Sequence, residues 1–255
     1  MEDNKKYIDF NIDLAQVSDI NDEDKALGLI ENVSSVNISC GFHAGNPLSI
    51  KNAIEFCKHK EKVIGAHISL PVGVKNPTAL SEDDIEAIVL YQLGALSAFA
   101  KAESLNVEYV RPHGELYKLM SLDLDVSLKV AKAIKKFSEW FVLYGACGDI
   151  LKETSSELNI NIAGEILLDI PYLKNAMIDF DADKKLETGM SLIRLRRLAN
   201  LSEIETINGE FEKVNFDTVH FSVNTPNVDE LLKEATNIFT SRPVNYNNVV
   251  ESGWV

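Results

Sequence analysis

The segment YIDFNIDL, residues 7–14, alternates strictly between apolar and polar side chains. Successive side chains of a β-strand point to opposite faces, so this pattern predicts a strand with one apolar face and one polar face. The polar face carries Asp9, Asn11 and Asp13. The chain is therefore expected to begin its fold with a strand that delivers a carboxylate, Asp13, to its end.

Further strands and helices alternate along the chain. SSVNISC (34–40) leads through GFHAGNP to a predicted helix with Asn46 as its cap and Pro47 as its first residue. The other predicted strands are KVIGAH (62–67), EYVRPHG (108–114), FVLYG (141–145), NINIAGE (159–165) and DTVHFSVN (217–224). Helices are predicted at 81–105, 123–136 and 148–158, and from the Thr225–Pro226 pair to Phe239, with a less regular region after residue 165.

About seven strands in alternation with helices, without a low-complexity linker, predict one domain over residues 1–255 with a parallel sheet. No GxGxxG or GxxxxGK motif follows the first strand, as a nucleotide-binding open sheet usually requires. A closed α/β barrel is therefore favoured. In such barrels, functional groups gather where the strands end.

Composition narrows the classes of partner. The chain has 255 residues, of which 45% are hydrophobic, and its formal net charge is -14, which disfavours nucleic acid. The start, MEDNKKYIDF, lacks an apolar signal core, and the apolar run at 88–100 is too short to span a bilayer. Cys40, Cys57 and Cys147 match no metal or disulfide spacing. A soluble cytoplasmic protein without a membrane partner is expected.

Three histidines follow apolar strands in turns that contain Gly or Pro: His43 in CGFHAG, His67 in IGAH and His113 in RPHG. Neutral imidazoles there can transfer protons, and together with Asp13 they form a plausible set for zinc or another divalent ion. The alternative is that these rings only satisfy backbone groups beneath the loops. His59, in CKHKEK, is expected to be solvated and receives no role.

The remaining candidates each have two interpretations. Asp13 is a general base or metal ligand, or else it caps nearby amides. Glu165 performs acid/base chemistry or makes buried hydrogen bonds. Cys40 alternates with buried apolar residues, which favours a core role over that of a nucleophile. The arginines of LIRLRRL (192–198) are expected to form surface ion pairs.

The segments SVNISCGFHAGNP, IGAH, YQLGALSAFA and RPHGELY, in this order, resemble the LamB/YcsF family, which is associated with the A subunit of prokaryotic 5-oxoprolinase. The resemblance implies a deformed (β/α)7 TIM-like barrel of the glycoside hydrolase/deacetylase type. It also implies ATP-dependent hydrolysis of 5-oxo-L-proline to L-glutamate with partner subunits B and C, on which ATP would largely bind. Homo-oligomerisation is left open.

Strand ends and resemblance together give a candidate site. The catalytic candidates are Asp13, His43, His67, His113 and Glu165, of which the first four are also the candidates for a metal. The substrate-binding candidates are Asn11, Asn37, Gly41, Gly45, Arg111, Gly114 and Tyr117.

Several positions depart from the family pattern. Gln16, Asn46, Ser222 and Asn224 replace the family's Glu, Asp, His and Asp, and Ile170 replaces an Arg. An amide cannot carry a proton at neutral pH, so these changes favour binding over catalysis. Two alternatives therefore stand beside the enzyme: a non-catalytic or altered-specificity homologue that binds ligand or partner subunits, and a metal-dependent amidase or deacetylase acting on a sugar or lactam. His220 shares a strand face with Ser222 and is a weak candidate to replace the missing histidine.

Overall fold

The computed structural model describes residues 5–16, 20–74 and 77–244, and seven parallel strands of that part of the chain close into a barrel. The barrel strands are β1 (Tyr7–Leu14), β2 (Ser35–Ser39), β3 (Val63–Ile68), β4 (Val107–Pro112), β5 (Val142–Ala146), β6 (Asn161–Leu167) and β9 (Thr218–His220). They follow one another around the barrel in chain order, and β9 closes it by pairing with both β6 and β1. The predicted seven-stranded α/β barrel is confirmed.

Three short strands lie outside this ring. β7 (Glu203–Glu205) and β8 (Phe211–Lys213) form an antiparallel hairpin, and β10 (Thr240–Ser241) pairs in parallel with the start of β1.

Helices cover the outside of the barrel. They are α1 (Ile20–Leu29), α2 (Pro47–His59), α3 (Glu82–Ala102), α4 (Gly114–Leu122), α5 (Leu124–Phe137), α6 (Asp149–Leu158), α7 (Thr188–Leu201) and α8 (Val228–Ile238). The predicted start of α2 is confirmed, because the Asn46 side chain accepts hydrogen bonds from the amides of Leu48 and Ser49. Ser81 and Asp84 form the capping box predicted for α3.

The two faces of β1 have different surroundings, although both are buried. Phe10, on the apolar face, packs edge-on against Phe221 and Phe239 in the layer between barrel and helices. Asp9 and Asn11, on the polar face, are fully buried inside the barrel. The interior of the barrel is therefore largely polar, and most of the apolar core lies outside it.

Helix α3 has the length and apolar composition of a membrane span. Its buried face, which includes Ile85, Val89 and Leu93, belongs to the main apolar core, and the helix packs against β3, β4 and α5. Packing of this face within the barrel's outer layer accounts for its composition, as expected of a core helix.

Some predicted boundaries were wrong. Residues 114–122 form a separate helix, α4, ahead of the one predicted at 123–136. The last barrel strand covers only 218–220 rather than 217–224. Helix α8 begins after Asn227 rather than at Thr225–Pro226, because the Thr225 hydroxyl donates to the buried Asp169 carboxylate at 2.7 Å instead of capping the helix.

The arginines of α7 divide into two groups. Arg196 and Arg197 form the expected ion pairs, with Glu234 and Glu203 respectively. Arg194 was wrongly predicted to lie on the surface: it is 6% exposed, and its guanidinium donates to three carbonyl oxygens of residues 167, 168 and 170. Because the segment after β6 forms no regular sheet or helix, its carbonyl groups need this donor.

One glycine is required by the packing of the barrel interior. A Cβ on Gly65 would lie 2.1 Å from the Tyr109 ring, which is fully buried and stacks on Tyr144 at 4.1 Å.

We predict that Gly65→Ala lowers the free energy of unfolding by about 1 to 3 kcal/mol, measured by urea denaturation, because the added methyl group overpacks the barrel interior. The control is Gly94→Ala in α3, where the added methyl meets nothing within 4 Å. It should leave stability unchanged or raise it, and equal effects of the two substitutions would contradict this account.

Candidate functional site

The predicted histidines and Asp13 meet at the ends of the first four barrel strands. Asp13 lies near the end of β1, His67 near the end of β3, and His43 in the turn after β2. His113 follows β4 and is the cap residue of α4. Since the strands are parallel, their carboxyl ends share one edge of the barrel, and the four side chains converge there.

The three imidazole rings form a compact cluster. The rings of His43 and His113 stack with centroids 3.8 Å apart, and the His67 ring lies 5.1 Å and 4.7 Å from them. His67 is fully buried, whereas His43 and His113 are half-buried at the barrel mouth. His67 therefore forms the floor of the cluster, and the other two rings are accessible to a ligand.

Hydrogen-bond chemistry assigns the protons of this cluster. Arg111 Nη1 lies 3.2 Å from His67 Nε2, and a guanidinium nitrogen can only donate, so His67 Nε2 is an acceptor. His67 then carries its proton on Nδ1, 3.1 Å from Asp13 Oδ1. His113 Nδ1, 3.0 Å from the same His67 Nε2, must also donate. Consequently His113 Nε2 keeps a lone pair that no donor among the described residues occupies.

Arg111 and Glu165 form a buried ion pair beneath the histidines. The guanidinium donates to both carboxylate oxygens, through Nε at 2.8 Å and Nη2 at 2.9 Å. Glu165 is fully buried and Arg111 is 6% exposed. Burial alone would raise the pKa of Glu165, but the charges of Arg111 and His220, together with hydrogen bonds from Arg111 and Asn11, outweigh it and lower that pKa. This geometry supports the hydrogen-bonding interpretation of Glu165, while its predicted acid/base role stays untested.

Asn11 is the junction of the polar network below the site. Its amide nitrogen donates to Glu165 and to Thr218, and its oxygen accepts from Asn37. His220 Nδ1 lies 2.8 Å from the same oxygen. Asn11 and Asn37 are fully buried, so in this structure they support the site from below; their predicted contact with substrate stays a prediction.

The surroundings set the charges of the site. Burial, followed by the neighbouring His67, lowers the pKa of His43 to about 2 and that of His113 to about 4. Burial would raise the pKa of Asp13, but His67, His220 and Arg111 outweigh it and hold that pKa well below its usual range. At neutral pH the site therefore presents an ionised Asp13 beside neutral rings of His43 and His113.

The remaining predicted residues shape the turns around the cluster. Gly41 and Gly45 have positive φ, and a Cβ on Gly45 would lie 2.9 Å from the Ser39 carbonyl oxygen, so glycine fixes the turn that carries His43. Gly114 begins α4 with φ 55°. Tyr117, on the buried face of α4, holds its ring 5.4 Å from the Arg111 guanidinium carbon.

A resident divalent ion does not fit this arrangement well. One ring nitrogen from each of His43, His67 and His113 lies within 4.8 Å of the others, a spacing that a metal set allows. However, the His67 Nε2 lone pair already accepts N–H groups from Arg111 and His113. The Arg111 cation contacts that same nitrogen and would repel a bound cation, so the metal stays a prediction that the geometry does not favour.

The substituted family positions have different surroundings. Asn46 caps α2 on the surface, a role that an amide performs as well as an acid. Gln16 donates to Asp13 Oδ2 at 3.2 Å, inside the site. Ser222 and Asn224 lie in the turn after β9, where the Ser222 hydroxyl accepts from the Asn224 amide. Ile170 packs against the core, and its carbonyl accepts from Arg194.

His220 was only a weak candidate in the sequence, yet the structure places it in the site. Its Nε2 lies 3.6 Å from Asp13 Oδ2 and its side chain is 8% exposed. Burial, followed by the charge of Arg111, lowers the pKa of His220 to about 4. The signal available in the sequence was its inward register in the strand, two residues before Ser222.

The lowered pKa of His113 leads to a direct prediction. In an NMR titration of the full chain, the His113 ring should titrate near pH 4, because protonation must occur in a half-buried site beside Arg111 and His67. Between this value and pH 6.5 the unfolded chain binds a proton that the folded chain does not, so this residue lowers stability as the pH falls. His113→Gln should therefore lose less stability than wild type from pH 6.5 to 4. Titration of His113 above pH 6 would contradict the assigned geometry.

Comparison with known proteins places the site in a family. The sequence model of the LamB/YcsF family matches residues 8–252. The 5-oxoprolinase A subunit of Chloroflexus aurantiacus is 34% identical over 171 residues, and that of Bacillus subtilis (strain 168) is 34% identical over 169. These alignments cover 65% of this chain in both cases, and 66% and 65% of the relatives, so they span just under two thirds of the relatives' length. A 5-oxoprolinase A subunit of Pseudomonas syringae pv. tomato is 28% identical, with 90% of this chain and 92% of the relative aligned.

A solved structure has the same fold over nearly its whole length. The lactam utilization protein from Thermus thermophilus superposes with a TM-score of 0.78 at 27% identity, covering 97% of each chain. The family model, the relatives and the shared fold all indicate the same family. The chain belongs to the LamB/YcsF family.

Proposed function

We propose that this chain is an A-type subunit of a 5-oxoprolinase, which acts with partner subunits B and C in the ATP-dependent hydrolysis of 5-oxo-L-proline to L-glutamate. The observation that carries the proposal is the Asp13–His67–His113 chain of contacts at the barrel mouth. Relatives named as A subunits of 5-oxoprolinase support the choice of substrate.

In this proposal His113 is the general base. Its free Nε2 accepts a proton from the attacking water, whose oxygen bonds to the lactam carbonyl carbon. The C–N bond then breaks, and the proton passes from His113 to the ring nitrogen. Through His67, the Asp13 carboxylate holds His113 in the tautomer that leaves Nε2 free, and it stabilises the transient positive charge.

His43 is proposed to orient the reacting groups. Its Nδ1 is buried without a hydrogen-bond partner among the described residues, while its Nε2 lies 3.2 Å from the Ser39 hydroxyl. A buried nitrogen without a partner costs free energy unless a ligand or water satisfies it. The stacked contact with His113 places this nitrogen beside the proposed base.

ATP is proposed to bind mainly on subunits B and C, where its γ-phosphoryl group passes to the lactam oxygen and ADP leaves. After the C–N bond breaks, the phosphoryl group remains on the new carboxyl group as an acyl phosphate, which a second water hydrolyses to glutamate and inorganic phosphate. No phosphate-binding glycine loop follows β1 in this chain, and its net charge of -14 does not favour a polyphosphate. The proposed location is the cytoplasm, which supplies ATP and keeps thiols reduced, such as those of the buried Cys40, Cys57 and Cys147.

The test is glutamate release from 5-oxo-L-proline and ATP by subunits B and C, with and without this chain. We predict stimulation by the wild-type chain and a loss of about 10²- to 10⁴-fold with His113→Ala, because a general base contributes on that scale. The control is His59→Ala, at the exposed end of α2, which should keep full activity. Circular dichroism establishes that both variants fold. A fully active His113→Ala variant would reject the assignment.

A non-catalytic homologue is the second candidate, because Gln16 now binds Asp13 where the family has an acid. In that case the wild-type chain gives no stimulation with competent partners. The combined variant Gln16→Glu, Asn46→Asp, Ser222→His and Asn224→Asp should then create activity. Since Asn46 caps α2 on the surface, leaving out its substitution should make no difference.

The third candidate function is a metal-dependent amidase. Metal analysis of protein purified without chelator distinguishes it from the other two candidates. The contacts of Arg111 with the cluster lead us to expect less than about one tenth of an equivalent of divalent ion per chain, and unchanged activity after dialysis against EDTA. A stoichiometric bound ion that His67→Ala removes would favour the amidase instead.

A further inference from the structure

A cavity of about 110 Å³ lies beside the ends of β4 and β5. Its walls come from α4, the start of α6 and the irregular segment at 175–180, and include Tyr117, Met120, Leu151, Met177 and Phe180. The volume is somewhat below the roughly 150 Å³ cavity that holds benzene. Pro112, which precedes His113 directly, also lines it, so the cavity reaches the residue next to the proposed base.

Helix α6 begins at this cavity without a side-chain cap. Gly148 is its N-cap residue, and Gly148, Asp149 and Ile150 all line the cavity. The first amides of a helix have no partner within the helix, and together they carry a partial positive charge. Side chains cap α2, α3 and α5, whereas α4, α7 and α8 begin without a side-chain cap, as α6 does. The start of α6 therefore offers free donors to a ligand.

Tyr117 provides an independent second donor in the same wall. It is 5% exposed, and its hydroxyl is buried without a hydrogen-bond partner among the described residues. Burial and the nearby Glu165 carboxylate raise the pKa of Tyr117 well above its usual value, so the hydroxyl keeps its proton. An unsatisfied buried hydroxyl requires an acceptor, which nothing in the described part of the chain supplies.

Among the described residues that line the cavity, no cation competes with these donors for an anionic ligand. Asp149 is the only charged residue among the described residues that line the cavity. Its carboxylate is 95% exposed and 3.8 Å from Lys152. Arg111, across the Tyr117 ring, is already engaged by Glu165. An acidic ligand group in this cavity must therefore be bound by neutral N–H and O–H groups, as at other helix N-termini.

We propose that this cavity is the carboxylate subsite for a small cyclic amino acid such as 5-oxo-L-proline, with the Tyr117 hydroxyl and the first amides of α6 as donors. The inference rests on the proposed function and adds the groups that recognise the substrate. The carboxylate lies against α6, the ring against the apolar wall, and the lactam bond toward His113. Ile170, which replaces the family's arginine, is then no obstacle to binding an acid.

The decisive variant is Gly148→Asp, which supplies the missing cap. At Gly148 φ is 163°, an extended conformation open to any residue, and a Cβ there would meet nothing within 4 Å. The new carboxylate should bind the α6 amides, raise the melting temperature as a cap does, and exclude the carboxylate of the ligand. Gly148→Ala is the matched control, because it adds the Cβ without the acceptor.

Binding of 5-oxo-L-proline to the full chain is measured by isothermal titration calorimetry, with 2-pyrrolidinone as the probe that lacks the carboxylate. We expect Gly148→Asp and Tyr117→Phe each to weaken 5-oxo-L-proline binding about tenfold or more, the scale of a charge-assisted hydrogen bond. Gly148→Ala should weaken 5-oxo-L-proline binding far less than Gly148→Asp does, and 2-pyrrolidinone should bind wild type and Gly148→Asp equally.

Unchanged affinity of Gly148→Asp, accompanied by its raised melting temperature, would overturn the subsite, as would absence of 5-oxo-L-proline binding to wild type. The two proposals fail separately. Binding that follows the expected pattern without glutamate release would reject the proposed function alone. Glutamate release with an unchanged KM in Gly148→Asp would reject the subsite alone.

Discussion

The structure depends on one constraint: a closed barrel with a polar interior must pair each buried donor and acceptor within itself. Asn11 meets this demand at the centre, because its amide joins four strands through Glu165, Thr218, Asn37 and His220. At the bottom, the fully buried Asp9 accepts hydroxyl groups from Ser35, Tyr144 and Thr218, among others. Buried networks of this kind are stable only when fully satisfied, so they fix which side chains face the barrel mouth.

The sequence predicted the alternation of strands and helices well, because period-two patterns and caps such as Asn46 and Ser81 are local. It also brought Asp13, His43, His67 and His113 together correctly, since parallel strands end at one edge. It did not predict that Glu165 and Arg111 would form an ion pair with each other, or that Thr225 would bind Asp169 rather than cap α8. The first contact joins residues that are 54 positions apart in the sequence, and the second joins residues that are 56 positions apart. No local pattern encodes such partners, and only the closed barrel determines them.

The departures from the family pattern differ in meaning once they are placed in space. Asn46 lies at a helix cap on the surface and has no part in the chemistry. Gln16 touches Asp13 directly, so it affects the ionised group on which the histidines depend. His220, which the sequence suggested only weakly, fills space beside Asp13 and ties it to Asn11. A count of the acids lost from the motif therefore overstates the change in the site. Whether an amide can replace an acid depends on where the residue lies in the structure.

The closure of the barrel by β1 and β9 has a consequence for how the chain folds. The hydrogen bond between Asn11 and His220 joins residues separated by 209 positions, whereas β2 to β6 pair with near neighbours in sequence. Ordering so long a loop carries a large entropy cost before any contact offsets it. The last step of folding is therefore expected to be the docking of β9, which brings His220 to Asn11 and Asp13 and completes the polar network beneath the histidines. Until that step, the polar side chains that later face the barrel interior stay exposed to water.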